Sequence, residues 1–480
     1  MELPLPEAVR RACTLLAADG RQVYVVGGGI RDLILGIPPS DWDLATDASP
    51  GEATAVFAGA GCKVLPTGAK YGTITVMIGD FPIEVTTFRI EGGYQDRRRP
   101  DEVRFVREIE QDLARRDFTV NAIAYDPRRS LISDPCSGIR DLAAMRLRAV
   151  GDPEARIGED ALRILRAIRL AADYGLKIEP GTWHAIIRNA ELINKMAIER
   201  TRDELNRTLL AANYLDGLQY LLQAGLLFLI IPELSESWLF PQFNPSHQYD
   251  VLTHALEAMR YIPADLELRL AVLLHDVAKP RCSSRDSDRN SVASSGLAPG
   301  LKDCGTPGSG HFYGHSLMGS QMAEEILQRL HYSIHTVRQV SLLVREHSLD
   351  LKMGHPAMRR LISRVGRTAI PGLLAVKQAD LLAHSADFIL QALPEWEVFQ
   401  ARLNEVLGEA AAFNLSDLAI NGTDLLDVLN AKPGPLIGAV LQVLWEEVLT
   451  QPQKNQRSYL LARAGEIKKA MIKKGNCQPE

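Results

Sequence analysis

The sequence predicts an α+β chain, a mixed α/β domain at the N-terminus followed by an all-α remainder. Three observations carry that prediction. Alternation of apolar and polar residues with period two, the mark of a half-buried strand, is concentrated between residues 23 and 88. From Asp152 onward apolar residues recur at i, i+3 and i+4, as on helices that bury one stripe. No strand pattern of comparable strength returns after that point.

The elements follow in order. "VYVV" from Val23 reads as a strand, Gly27 to Gly29 as a turn, and "IRDLILG" as a short helix. A strand is expected around "WDLAT" and a helix over "PGEATAVFAGAG". Thr73 to Ile78 and Ile83 to Phe88 alternate as a hairpin with Gly79-Asp80 at its turn. "EGGYQDRRRPDEVRFV" (Glu91 to Val106) is charged and glycine-containing, so a mobile loop is expected there. The most apolar run, "YLLQAGLLFLII" (Tyr220 to Ile231), falls short of the roughly 20 residues needed to span a bilayer and reads as one buried core helix. Arg281 to Gly310 is rich in Ser, Gly and Asp and is expected to be a flexible insertion.

Composition narrows the function classes. The chain has 480 residues, enough for about three domains, with 46% apolar and 24% charged residues. A net charge of -5 gives no global basic footprint, so a nucleic-acid partner requires local patches. Six scattered cysteines without a CxxC favour a reducing, cytoplasmic setting and argue against a structural zinc cluster. "MELPLPEAVRRAC" lacks the apolar core of a secretory signal, and no membrane association is expected.

Chemistry concentrates first at Asp41 and Asp43. On a strand, i and i+2 share a face, so the two acids are expected to project together. Adjacent carboxylates repel unless a cation lies between them, and Mg2+ favours one or two acids plus substrate phosphates. Asp is also common in turns and caps, so the pair alone is a weak signal. Gly27, Gly28 and Gly29 upstream allow backbone to approach a phosphate closely. Acids, cation and anion-binding backbone together describe nucleotidyl transfer. Glu84 on the neighbouring strand either completes the metal shell or is an exposed strand acid.

"GGGIRDLILGIPPSDWDLATDASP" resembles the signature of the class II nucleotidyltransferases of the polymerase β superfamily. That family includes CCA-adding tRNA nucleotidyltransferases and bacterial poly(A) polymerases. "RRDFTVNAIAYD" (Arg115 to Asp126) resembles its ribose and triphosphate motif, and "SDPCSGIRDLAAMRLRAVGDP" its hinge. "EDALRILRAIRLAADYG" resembles its base-selecting helix, and "ERTRDELNR" the helical motif after it. The resemblance covers residues 20 to 215 closely and the remainder loosely. It implies a nucleotidyltransferase head over 1–150 and a helical neck over 151–215. A helical body with an HD-like domain follows over 216–395, and a tRNA-binding tail over 396–480. The implied partners are tRNA, CTP and ATP, with no DNA, and the implied cofactor is Mg2+ on Asp41 and Asp43.

The same residues suggest how C and A are chosen without a template. Asp160 and Arg163, three apart, are expected on one helix face. An ionised Asp only accepts hydrogen bonds and Arg only donates. Cytosine and adenine each present an amino donor beside a ring-nitrogen acceptor, whereas guanine and uracil reverse the order. A fixed Asp/Arg pair therefore takes C and A and leaves G and U with unpaired buried groups. The bland alternative is a surface ion pair. Arg166 and Arg169 extend the stripe as phosphate contacts or structural salt bridges. Gly28, Gly29, Arg31 and Asp32 shape the triphosphate site, and Arg116, Asp117 and Asn121 are the candidates for triphosphate and ribose contact. Phe118 and Ile123 read as core.

"CKVLPTGAKYGTITV" resembles the pattern of CCA-adding enzymes rather than the basic strand of poly(A) polymerases. "GGYQDRRRPDEV", with Arg97 to Arg99 and Asp101, resembles the flexible loop that CC-only enzymes lack. Complete CCA addition is the reading favoured, with poly(A) polymerase and partial CC- or A-adding enzymes as alternatives.

A second constellation lies in the body. His254, His275-Asp276 and Asp380 have the order of an HD domain, and His315 and His347 are spaced as ligands of a second divalent metal. His247 and His311 are weaker candidates. Such a site implies either phosphate-ester hydrolysis or an HD fold kept as a tRNA-binding body. An HD phosphohydrolase with a nucleotide-binding head is the rival from another class.

Overall fold

The computed structural model describes residues 2–92, 102–242, 248–282, 312, 314–409 and 413–473. The chain divides into two compact units, Met1–Ser235 and Glu236–Glu480.

The first unit is built on a seven-stranded sheet. Its strands are β1 (Val23–Val26), β2 (Asp43–Thr46), β3 (Lys63–Leu65), β4 (Thr73–Ile78), β5 (Phe81–Thr87), β8 (Ala124–Asp126) and β9 (Leu131–Ser133), in the order β3-β4-β5-β2-β1-β8-β9. Period-two patterning decides which face is buried: Ile74, Val76 and Ile78 of β4 face the core, and Val23 and Val25 of β1 are fully enclosed. β4 and β5 form the expected hairpin, Ile78 pairing with Phe81 across Gly79-Asp80. The β2–β5 pair is parallel, and its register sets Asp43 opposite Glu84.

Three helices pack on the sheet strands or connect them: α1 (Glu7–Ala18), α2 (Gly28–Ile34) and α3 (Pro50–Gly59). Helix α3 starts where expected because Ser49 and Glu52 form a reciprocal capping box with Pro50 at the first turn. The described ends of the stretch expected as a mobile loop are strands. β6 (Arg89–Gly92) and β7 (Glu102–Phe105) pair antiparallel, from Arg89 opposite Phe105 to Gly92 opposite Glu102. Backbone pairing there overrides a charged composition that suits an exposed two-stranded ribbon. Arg97 to Arg99 and Asp101 lie outside the described residues. Helix α4 (Ile109–Ala114) leads into the buried turn that carries Phe118 and Ile123, both core residues as expected.

After α5 (Gly138–Ala143), a two-residue parallel bridge joins β10 (Arg146–Leu147) to β11 (Lys177–Ile178). Helices then dominate: α6 (Pro153–Glu159), α7 (Leu162–Tyr174), α8 (Pro180–Arg188), α9 (Ile198–Leu210), α10 (Tyr214–Gln223) and α11 (Leu226–Ile230). The apolar run from Tyr220 to Ile231 is therefore two helices, not one. Gly225 breaks it at φ +70, a left-handed geometry that glycine adopts without the Cβ clash. Periodicity alone does not reveal such a break, because both halves are buried.

Helix α12 (Leu234–Ser237) crosses into the second unit. The described part of that unit is helical: α13 (Val251–Ala258), α14 (Leu266–Leu274), α15 (His315–Arg329), α16 (Ile334–Glu346), α17 (His355–Val365), α18 (Ile370–Leu382), α19 (Ala386–Gly408), α20 (Gly422–Leu429), α21 (Pro435–Thr450) and α22 (Arg457–Lys473). Leu425, Val440, Leu444 and Leu460 of the last three form a core of their own. Nearly all of the insertion expected over 281–310 lies outside the described residues, as do His247 and His311.

Candidate active site and candidate metal centre

A cavity of about 780 Å³ in the first unit is lined by residues of β1, β2, β5 and α2 on one side and of α7 and α9 on the other. Asp43 opens β2, and its in-register neighbour on β5 is Glu84, so both carboxylates enter the cavity side by side. Asp41 also lines the cavity but precedes the strand, which corrects the expectation that both acids sit on it. Pro38 and Pro39 just upstream have no N–H to extend the ladder. Burial, then Glu84 and Asp41, push the Asp43 carboxyl up to about 6, against the pull of Arg116.

Asp41 and Glu84 are exposed and Asp43 half-buried, and mutual repulsion makes three such acids on one cavity lining a poor structural choice without a cation. Their oxygen-only donor set suits a hard divalent ion. Gly27 makes room beside them. Its φ is +76, and a Cβ there would stand 3.2 Å from both Arg116 Nη1 and Asp43 Oδ2.

A chain of charge-assisted hydrogen bonds also lines the cavity. Arg31 on α2 donates through Nη1 to Asn121 Oδ1 at 2.6 Å and through Nε to Asp32 at 2.9 Å, and lies 4.1 Å from the centre of the Tyr174 ring. Asn121 donates to Asp117 Oδ1 at 3.1 Å, and Asp117 Oδ2 accepts from Arg166 at 2.8 and 3.1 Å. Burial alone would raise the Asp117 carboxyl, but Arg166 holds it well below the usual carboxylate range. Arg169 pairs with Glu204 at 2.7 Å and Asp173 at 3.1 Å. Gly28 and Gly29 open α2 on the same wall.

The geometry of Asp160 and Arg163 differs from expectation. Helix α6 ends at Glu159 and α7 begins at Leu162, so Asp160 sits in an extended break (φ -139, ψ 107) rather than on a shared helix face. There Asp160 Oδ1 accepts from the Leu162 N–H at 3.0 Å. Arg163 turns to Glu159 Oε2 and the Arg156 carbonyl, each at 2.5 Å. Both side chains nevertheless line the cavity. Sequence reasoning missed Arg89, Arg115, Tyr174 and Arg207, which line it too. The doublet Arg115-Arg116 was a usable signal. Tyr174 gave none, since 143 residues separate it from Arg31.

In the second unit, all six residues expected at an HD site converge. His254 Nε2 is 3.0 Å from Asp380 Oδ1, and His275 Nε2 is 3.1 Å from Asp276 Oδ2 and 3.7 Å from Asp380 Oδ1. His315 and His347 each place Nε2 3.6 Å from Asp276 Oδ1. The tautomers are set by one repeated device. His275, His315 and His347 direct Nδ1 to the carbonyls of Val272, Phe312 and Val344, three residues back, at 2.6–2.7 Å. Each Nδ1 carries the proton in that bond, leaving the Nε2 lone pair for the cluster.

Burial and the neighbouring Asp276 act against each other on these rings. His315 is pushed down to about 4 by burial, whereas Asp276 raises His275 above its ordinary value despite burial. His275 Nε2 and both Asp276 oxygens are buried without a well-aligned hydrogen bond, although Lys279 Nζ stands 2.6 Å from Asp276 Oδ2. Two overlapping ligand sets, His254/His275/Asp380 and His275/Asp276/His347, are compact enough to hold a metal ion.

Comparison with known proteins assigns domains to both regions. Residues 23–148 match the poly A polymerase head domain, 175–237 a probable RNA- and SrmB-binding site of polymerase A, and 246–384 the HD domain. A polymerase head continued by such helices defines a nucleotidyltransferase. The chain belongs to the CCA-adding enzyme family of tRNA nucleotidyltransferases: the CCA-adding enzyme of Limosilactobacillus fermentum is 32% identical over 464 residues, 97% of this chain and 98% of that one. The enzyme of Ligilactobacillus salivarius is 43% identical over 224 residues, 47% of this chain and 52% of that protein. In fold, the chain matches the Bacillus stearothermophilus CCA-adding enzyme in complex with CTP at a TM-score of 0.68, with 24% identity, covering 98% of this chain and 100% of that one. It matches the Thermotoga maritima enzyme complexed with tRNA at 0.57, with 19% identity and 96% of each chain covered. Divalent-metal dependence follows from the head and HD families. Among the described residues, no helix is long and apolar enough to cross a membrane.

Proposed function

We propose that this chain adds C, C and A to the 3′ end of tRNA from CTP and ATP, by Mg2+-dependent nucleotidyl transfer in the head cavity. One observation carries the reading: Asp41, Asp43 and Glu84 line one cavity together with arginines of α2, α7 and the Arg115–Asn121 turn. Asp41 and Asp43 hold the Mg2+, with Glu84 beside them as a third donor or as the acid that keeps Asp43 basic. The bound ion supplies Lewis-acid activation of the tRNA 3′-hydroxyl and charge neutralisation at the attacked phosphorus.

The chain's own residues do the rest. Arg116, fixed against Gly27, and Arg31, held by Asn121, offer planar guanidinium forks to the triphosphate. Asp117 is a partner of Arg166 first, and through Asn121 it orients Arg31. Asp160 and Arg163 read the base edge. Arg163 is locked by Glu159 and the Arg156 carbonyl, so its remaining donors point in a fixed direction and little entropy is lost on reading. The tRNA is held by local basic patches through backbone shape, and the setting is the cytoplasm.

The HD cluster is a second metal centre. The converging Nε2 atoms, and the buried His275 and Asp276 atoms without a well-aligned hydrogen bond, support a divalent ion there, whose chemistry would be activation of water for phosphate-ester hydrolysis.

The test is a purified chain given a tRNA ending before CCA, with Mg2+ and labelled CTP, ATP or both, resolved to single nucleotides. Two additions with CTP and a third only with ATP are expected. An ATP-only ladder would make it a poly(A) polymerase, a stop at CC a partial enzyme, and no addition would shift the assignment to the HD site.

A further inference from the structure

Beneath the arginines of the head cavity lies Asp112, on α4, with no exposed surface and no place in the cavity lining. Its two oxygens are divided between consecutive arginines. Oδ1 accepts from Arg115 Nε at 3.0 Å and Nη2 at 2.7 Å, and Oδ2 from Arg116 Nε at 3.4 Å and Nη2 at 3.2 Å. Oδ1 also accepts from the Arg89 N–H at 3.3 Å, which ties the root of β6 to the same acid.

Two guanidinium groups on adjacent residues repel, and each loses rotamer entropy when it is fixed. One buried carboxylate gripping both side-on removes both problems. It also turns Nη1 of each arginine away from the acid. Arg116 Nη1 then lies against Gly27, beside Asp43, and donates to the Asn121 carbonyl at 3.4 Å.

A purely structural buried acid is available for contrast. Asp141 is 1% exposed and pairs with Arg146, Arg148 and Thr119, but those arginines line no part of the cavity. Both arginines of Asp112 do. The same turn also meets the base-reading side. The Arg115 carbonyl accepts from Arg156 at 3.1 Å and lies 3.5 Å from Arg163 Nη2.

We propose that Asp112 is a positioning residue for nucleotide addition: it fixes Arg115 and Arg116 as a paired clamp on the triphosphate without touching the nucleotide. This rests on the reading of the head cavity as the nucleotide site.

Asp112→Asn keeps the shape and removes the charge. With the full chain, CTP or ATP and a tRNA ending before CCA, KM for both nucleotides should rise by a similar factor, about 10-fold or more, while KM for tRNA stays within two-fold. In an Arg115→Ala/Arg116→Ala background the same change should cost less than about two-fold further, because both of its routes of action are already gone. Asp112→Glu keeps the charge for folding and displaces both forks by a methylene, so an intermediate rise is expected. Nucleotide KM within two-fold of wild type in a folded Asp112→Asn or Asp112→Glu protein overturns the proposal, as does a full additive loss in the Arg115→Ala/Arg116→Ala background. If Arg116→Ala alone leaves nucleotide KM unchanged, the nucleotide-site reading itself fails.

Discussion

Asp43→Asn should destroy activity and stabilise the metal-free protein. The reason is electrostatic. In the folded chain the Asp43 carboxyl is pushed up to about 6 by burial and by Glu84 and Asp41, against about 3.9 in an unfolded chain. Folding therefore favours the protonated acid. Wild-type stability from this group is intact below about pH 4 and is lost as pH rises through about 6. Two units at about 1.4 kcal/mol each give about 3 kcal/mol, and residual solvent access reduces this to about 2. For a unit of this size that is about 4–8 °C in melting temperature.

The assay is calorimetry of wild type and Asp43→Asn in a chelator at pH 4 and pH 8, then in excess Mg2+. The expected pattern is a higher melting temperature for the Asn variant at pH 8, near equality at pH 4, and a smaller gap in Mg2+. The last follows because an ion that binds only the folded wild type raises its stability. A variant no more stable at pH 8 than wild type, or a gap indifferent to both pH and Mg2+, would refute the claim that the acids are crowded to hold a cation.

Three further outcomes are expected. Asp41→Ala should lower nucleotide addition by about 1,000-fold with an unchanged circular dichroism spectrum, matching the several kcal/mol a positioned metal supplies. Arg163→Ala should lower discrimination of CTP against UTP by about 100-fold, read as the ratio of kcat/KM values, because a hydrogen-bonding site loses its penalty for the wrong edge. Asp276→Asn should leave nucleotide addition within two-fold of wild type while reducing divalent metal retained by the protein after dialysis. Loss of addition in that variant would instead favour the HD site as the main centre.

Much of the fold was legible because it rests on local rules. The β4–β5 hairpin follows from alternation and a Gly-Asp turn, and α3 from Ser49, Pro50 and Glu52. The order His254, His275-Asp276, His315, His347, Asp380 was readable as a metal set, and the residues do converge. Where the reading failed, two local rules competed. Gly225 divides an apolar run that periodicity joins, and the β6–β7 ribbon pairs residues whose charge suggested a loop. Asp160 was assigned to a helix face by spacing, but the chain breaks there between α6 and α7.

The sequence by itself determined the chemical character of the candidate side chains, since carboxylates, imidazoles and guanidiniums have fixed donor and acceptor character wherever they fall. Only the tertiary structure decided what each one faces. Arg31 reaches Asn121 across 90 residues, Arg166 reaches Asp117 across 49, and Asp43 meets Glu84 through a parallel register that no local pattern encodes. Those long-range pairings set the burial and the local field. Burial and field in turn make Asp43 a crowded, high-pKa acid and Asp117 a firmly ionised one, though the two are the same amino acid.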